Sequence, residues 1–331
     1  MKIDVVIPWV DCNDKKWQDD YIAFSGKNQH NFAQYRDWGL LKYWFRCIEK
    51  NASWINNVFF ITCGHVPSWL NLDCKKLKVI RHSDYMDSKY LPTFSSHPIE
   101  LNLHKIKELS EHFIYFNDDI FIINKVEPTD FFYKGLPLDN ACLSTFTPAT
   151  RSDVISYVIY NDVATINMNF SKREKMKKYL WKWLSVKNGL QTLMKNIYCA
   201  FLKKYSAFEN PHIAQAFLKS TFEEVWEKEG EYLDFVSGNK FRTKSDVNQW
   251  LMRYWQLING KFYPHRKIGK MTTLEKGKLD DIQNSFLKNK IKILCLNDNP
   301  NLSDDEYLLL KGEIIELFDK NYPYKSIFEN A

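Results

Sequence analysis

Short apolar runs that end on acidic residues recur along this chain. Ile3-Asp-Val-Val-Ile-Pro-Trp-Val10 reads as a β-branched strand that closes on Asp11. Val58-Phe-Phe-Ile-Thr62 and Leu77-Lys-Val-Ile-Arg81 read as further strands. Phe113-Ile-Tyr-Phe116 is apolar throughout, as a strand buried on both faces must be, and runs into Asn117-Asp118-Asp119. Ile291-Lys-Ile-Leu-Cys-Leu296 leads into a third acidic junction, Asn297-Asp298-Asn299. Helical periodicity fills the intervals. From Arg36 to Asn51, residues Leu40, Leu41, Trp44, Phe45 and Ile48 fall at three- and four-residue spacing. From Pro98 to Leu109, Ile99, Leu103 and Ile106 share a face. Helices are also predicted over 171–205, 210–229 and 244–259, and from Leu302 to Phe318 with Ser303 as N-cap.

Strands alternating with helices predict an α/β fold: a mostly parallel, Rossmann-like sheet flanked by helices, with a helical insertion. The expected organisation is an α/β region over 1–150, a basic helical insertion over 151–209, and a helical C-terminal part over 210–331 that completes the same domain. Ligands of such sheets sit off the carboxyl ends of the strands, where Asp11 and Asn117-Asp118-Asp119 fall.

Composition narrows this picture. The 331 residues include 16% aromatics but just 11 Gly and 11 Pro, which excludes a fibrous or low-complexity chain. The seven cysteines are scattered and include no C-x-x-C, so a reduced cytosolic protein without structural zinc is expected. The apolar start is interrupted by Asp4 and ended by Pro8, unlike a signal peptide, and no run is long enough to span a bilayer. The net charge of +6 is unevenly placed. Residues 171–205 hold ten lysines and arginines against Glu174 alone, so the remainder is net acidic.

Adjacent carboxylates at a strand end suit Mg²⁺ or Mn²⁺, hard cations that bridge substrate phosphates. No G-x-G-x-x-G or Walker sequence is present, so dinucleotide and P-loop readings fail. Asn-Asp-Asp is equally ordinary turn chemistry. His212, after Pro211 and before a predicted helix, fits a general acid or base and also an ordinary helix-start histidine. Arg242 lies before a helix expected to be capped by Ser245 or Asp246, where it could meet phosphate or merely pair at the surface.

With these residues in view, the chain resembles the Stealth family of hexose-1-phosphate transferases. That family includes bacterial capsule polysaccharide phosphotransferases and the catalytic subunit of the animal lysosomal-enzyme N-acetylglucosamine-1-phosphotransferase. Four blocks carry the resemblance. The first is Ile3 to Asp11. The second begins at Arg36-Asp37 and passes through Arg46, Pro67-Ser-Trp-Leu70, Val79-Ile-Arg-His82 and Tyr90-Leu-Pro-Thr-Phe-Ser-Ser96. It continues through Ile99-Glu-Leu-Asn-Leu-His104 and ends at Asn117-Asp118-Asp119. The third is Asn210-Pro-His212 with Phe241-Arg-Thr-Lys-Ser-Asp246, and the fourth is Cys295-Leu-Asn-Asp298. Ser95 stands where the family usually carries Asn.

The resemblance implies a glycosyltransferase-A-like sheet whose 1–150 region binds a nucleotide-sugar. It implies transfer of a sugar-1-phosphate, such as N-acetylhexosamine-1-phosphate, from a UDP-sugar to a glycan or lipid-linked saccharide hydroxyl, with release of UMP. Asp119, His212, Arg242 and Glu100 are then the catalytic candidates. Asp118, Asp119, Asn297 and Asp298 are the Mg²⁺ or Mn²⁺ ligands, and Trp9, Asp11, Arg36, Asn117 and His104 line or support the substrate pocket. A metal-dependent glycosyltransferase that attacks the anomeric carbon and releases UDP would use the same acids. A non-catalytic glycan-binding protein is the third reading, on the strength of 11 tryptophans.

Within the basic segment, Tyr179-Leu-Trp-Lys-Trp-Leu184 combines lysine with tryptophan. That composition matches a helix lying on an anionic membrane, and equally a solvated basic helix with its aromatics in the core. Nucleic acid is not expected as a partner, because the rest of the chain is net acidic and no nucleic-acid module appears.

Overall fold

The computed structural model describes residues 1–26, 36–146, 150–288 and 290–330. Its centre is β1 (Ile3–Pro8), flanked in parallel by β2 (Val58–Thr62) and β4 (His112–Tyr115), with β3 (Leu77–Arg81) beyond β2. β1 and β2 are buried nearly end to end, which is why they read as continuous apolar runs. The buried Asp4 in β1 is fully used: Oδ1 accepts from Asn56 Nδ2 at 2.7 Å and Oδ2 from the Ser110 amide at 2.8 Å. It thereby ties together the turns at the amino ends of the strands.

β6 (Gln215–Leu218) pairs antiparallel with β4 and completes the order β6-β4-β1-β2-β3. The helix predicted over 210–229 is therefore corrected. Gln215 to Leu218 are all buried and extend the sheet, and helix α7 (Lys219–Ser237) starts only after them. A second sheet holds β5 (Ile120–Ile122), β7 (Gly269–Thr273) and β8 (Ile293–Asn297), with β8 between the other two. Alternation along the strands separates two cores. Val5, Ile7, Phe60 and Ile114 face one, and Val6, Phe59, Ile61 and Phe113 face the other.

The remaining helices are α1 (Lys15–Ser25), α2 (Leu41–Asn51), α3 (Ser96–Leu101), α4 (Val154–Asn169), α5 (Lys172–Trp183), α6 (Leu190–Ala200), α8 (Gln249–Ile258), α9 (Leu279–Leu287) and α10 (Asp304–Asn321). α2 begins at Leu41, five residues later than its periodicity predicts, because Gly39 adopts φ +70° after an Asx turn from Asp37. The predicted helix 98–109 is cut to α3 plus a 3₁₀ turn at Leu103–Lys105. Asn102 Nδ2 binds back to the Pro98 carbonyl at 2.8 Å and to Ser237 Oγ at 3.0 Å, which ends the helix. Ser303 caps α10 through a capping box with Glu306, as the sequence predicts. Residues of α4 and α5, among them Val163, Ile166, Met176 and Trp183, join the same core as α7 and α8.

Candidate active site

Three strand ends meet at one place. β1 leads on to β2 and β3 on one side, while β4 enters on its other side, so the carboxyl ends of β1 and β4 open a crevice where the strand order reverses. Asp11 follows β1, and Asn117-Asp118-Asp119 follows β4. The acidic loop then leaves the central sheet and enters the second one as β5. The amide of Leu296 in β8 donates to the Asp119 carbonyl at 2.9 Å, so the junction Asn297-Asp298 is held beside the first.

Asp119 is the hub. Its Oδ2 accepts from the buried thiol of Cys295 at 3.2 Å and lies 3.3 Å from His212 Nε2. Its Oδ1 is buried and has no hydrogen-bond partner. Asn117 Nδ2 lies 3.5 Å from the same imidazole nitrogen. Ligand atoms of Asp119, His212 and Cys295 all fall within 4.8 Å of one another. Burial pulls the His212 imidazole down, but the hydrogen bond and charge of Asp119, aided by Glu100, more than offset it and hold the pKa above the ordinary value. The charge of Arg242 opposes that rise. Burial and the Asp119 carboxylate keep the Cys295 thiol protonated.

Asp118 is exposed to solvent, yet protein atoms crowd its carboxyl. That crowding, followed by the charge of Asp119, lifts its carboxyl to about 7. The sign follows from linkage. The unfolded chain ionises near the ordinary value of about 3.9, whereas the folded chain resists until about 7, so stability falls as pH rises across that window. Asp118→Asn removes the cost. With chelator present, it is expected to raise Tm by about 2 °C near pH 8, corresponding to roughly 1 kcal/mol after screening by the water Asp118 touches, and to leave Tm unchanged near pH 4. Thermal scans at both pH values check this, and a lower Tm near pH 8 contradicts it.

The other candidates divide. Glu100 is buried and accepts from Tyr115 Oη at 3.1 Å and from the Gln249 amide at 3.3 Å, so it supports the site from below. Asp298 is half-buried, and burial lifts its carboxyl against the opposing charge of Arg36. Arg36 donates to the Leu302 carbonyl, and its Nη1 is buried without a partner. The Asp11 amide donates to His65 Nε2 at 2.7 Å, and Trp9 stacks edge-on to that ring. His104 is not brought to the cluster. Its ring lies against Phe222 and Trp226 near Lys219, by the opposite end of β4, and burial lowers its pKa to about 4.

Arg242 is exposed and donates to Ser96 Oγ at 3.3 Å. The helix after it is capped by Asn248, not by Ser245 or Asp246 as the sequence predicts. Asp246 is buried instead, accepting from Thr243, from Asn239 and, at 2.8 Å, from His97 Nδ1, and so shapes the loop that presents Arg242. Ser95, in place of Asn, caps α3 by accepting from the His97 amide, a role both residues fill. Phe94 stacks on Phe241 and joins Trp17 and Tyr21 of α1, clamping the two loops together.

Sequence reasoning missed His65 and His97, and it named Cys295 and Asp246 within the family blocks without giving either a part in the site. Cys295 read as a strand residue; its position two before Asn297, on the strand beside the acids, was the available signal.

Residues 1–29 match Stealth protein conserved region 1, and residues 34–137 match Stealth protein conserved region 2. The capsular polysaccharide phosphotransferase WcwK of Streptococcus pneumoniae is 39% identical over 336 residues, covering 99% of this chain and 98% of that protein. The receptor polysaccharide phosphotransferase WefC of Streptococcus oralis is 38% identical, covering 99% of each. The exopolysaccharide phosphotransferase cps2G of Lactiplantibacillus plantarum is 36% identical, covering 99% and 96%. Among solved structures, the galactosyltransferase LgtC with donor and acceptor sugar analogues aligns with 96% of this chain and 95% of its own at a TM-score of 0.40 and 9% identity, too loose a likeness to bear on chemistry. Full-length identity of this order, with two conserved regions that contain Asp11 and Asn117-Asp118-Asp119, places the chain in the Stealth family of phosphotransferases.

Proposed function

We propose that this enzyme transfers a sugar-1-phosphate from a UDP-sugar to a hydroxyl of a bacterial surface polysaccharide, forming a phosphodiester and releasing UMP. The acceptor class follows from the names of the capsular, receptor and exopolysaccharide phosphotransferases that it resembles over its full length. The observation that carries the chemistry is the divided use of Asp119. One carboxylate oxygen is committed to His212 and Cys295, and the other is buried and free.

A buried carboxylate oxygen without a partner is costly unless a ligand completes it. With Asp118 beside it and Asn297-Asp298 tethered through β8, the donors are mostly oxygen, which fits Mg²⁺ or Mn²⁺. A set in which carboxylate and amide oxygens predominate suits these hard cations better than zinc, which prefers nitrogen and sulfur donors. When bound, the cation would neutralise diphosphate charge and polarise the phosphoryl centre.

The residues of the chain then act as follows. His212 donates Nε2–H to Asp119, leaving Nδ1 to take the proton of the acceptor hydroxyl. That oxygen bonds to the sugar-bearing β-phosphorus. The bond from β-phosphorus to the bridging oxygen breaks, and that oxygen leaves with UMP. Arg242 and Arg36 face the phosphate charge, and Asp119 steadies the imidazolium. The sugar C1–O bond is untouched, so anomeric configuration is retained.

Incubation with Mg²⁺, UDP-N-acetylhexosamines and an oligosaccharide acceptor is expected to release UMP in step with a phosphodiester product. Release of UDP would transfer the assignment to the anomeric carbon. Donor binding without either nucleotide would favour a glycan-binding role.

A further inference from the structure

Helix α6 is built inside out. An ordinary surface helix turns its apolar stripe to the core. Here the inward residues are Thr192, Asn196 and Cys199. Asn196 anchors the helix with three hydrogen bonds: its Oδ1 accepts from the Leu143 amide, and its Nδ2 donates to the carbonyls of Ala141 and Trp183, each at 2.7 Å. Thr192 adds a bond to Asn140 at 3.2 Å. The outward stripe is Leu190, Met194, Ile197, Tyr198 and, at the C-cap, Phe201, in the i, i+4, i+7, i+8, i+11 register of one helical face. Phe201 is 86% exposed, Leu190 73% and Tyr198 69%. On the preceding elements, Trp181 is 61% and Val186 73% exposed, whereas Trp183 is fully buried. Folding thus spends polar groups to hold an apolar face in water.

The surroundings of that face are cationic. At the C-terminal end of α6, Arg173, Lys203 and Lys204 line a recess of about 320 Å³ with Met168 and Phe170. None of these three cations enters an ion pair among the described residues. Lys172, by contrast, is buried and caps α6 through the carbonyls of Cys199 and Leu202. Glu174 is the single acid among ten basic residues in 171–205.

We propose that α6 and its cationic rim form a docking surface for an anionic lipid bilayer. The apolar stripe would lie in the headgroup–acyl boundary, and Arg173, Lys203 and Lys204 would take lipid phosphates. Eleven residues cannot cross a bilayer, and among the described residues no helix is long and apolar enough to do so, so the helix lies along the surface. A second copy is the poorer occupant. A twofold contact through this face would bring one cationic rim against its duplicate. The proposal is independent of which bond the active site makes.

The test is co-sedimentation of the full chain with vesicles of phosphatidylcholine alone or with about one third phosphatidylglycerol, at low and near-physiological salt. Binding is expected on the anionic vesicles, weakening with salt. Combined Met194→Ser, Tyr198→Ser and Phe201→Ser should abolish it, and Lys203→Glu with Lys204→Glu should weaken it by about tenfold or more. These side chains are exposed, so circular dichroism and Tm should stay at wild-type values. Absence of wild-type binding, or binding that neither variant changes, overturns the proposal. So does a wild-type dimer in sedimentation velocity that the serine variant converts to monomer, because the face would then serve a second copy.

Discussion

Asp119→Asn is expected to purify folded and to lose sugar-phosphate transfer by about three orders of magnitude or more. The substitution keeps the shape of the side chain, so packing around Cys295 and His212 changes little. It removes charge at the point where the site concentrates it. The free Oδ1 is buried without a partner, so an amide there offers a weaker ligand to a cation or presents an unpaired donor. The committed Oδ2 raises the affinity of His212 for a proton through a 3.3 Å contact. Losing one preorganised charge at a phosphoryl-transfer centre typically costs about 10²–10³ in rate, and this carboxylate serves two functions at once. Released nucleotide, measured at saturating donor, reads the loss, and an unchanged Tm separates it from misfolding. Turnover near the wild-type rate by purified Asp119→Asn would sink the assignment.

The parts of this site that were legible in the sequence are those set by local chemistry. Val58–Thr62 is a strand residue for residue, because a buried parallel strand is a plain apolar run, and the edge strand Leu77–Arg81 also matches residue for residue although only Leu77 in it is buried. Ser303 announces α10 because capping is local. The junction Asn117-Asp118-Asp119, ordinary turn chemistry by itself, was legible because an apolar strand on each side of it argues against a casual surface turn. The strand Gln215–Leu218 was not, since four apolar-leaning residues ahead of a helix carry no period of their own. Their state is decided by the open edge of β4, more than a hundred positions earlier. The same holds for His212. Nothing near Asn210-Pro-His212 points to Asp119; the antiparallel pairing of β6 brings them together. His104 shows the converse. It sits in a family block, yet the early end of α3 turns it into the core beside Trp226. Long-range pairing and the point at which a helix stops are the quantities a single sequence states least well.

His212→Gln is expected to reduce kcat by about 10²–10⁴ and to erase the rise of activity with pH that this imidazole causes. In the wild type, the neutral imidazole is the form that accepts the hydroxyl proton. Because Asp119 and Glu100 hold its pKa above the ordinary value, kcat/KM should climb with pH through an inflection higher than about 6.5. The neighbours fix the direction of every secondary shift. Glu100→Gln removes a charge that favours the imidazolium, so the inflection moves down. Arg242→Ala removes one that opposes it, so the inflection moves up even as phosphate contact is lost and activity falls. A structural histidine would move kcat and Tm together and leave the inflection where it was. An unshifted profile in both Glu100→Gln and Arg242→Ala would therefore remove His212 from the proton-transfer role while leaving Asp119 in place.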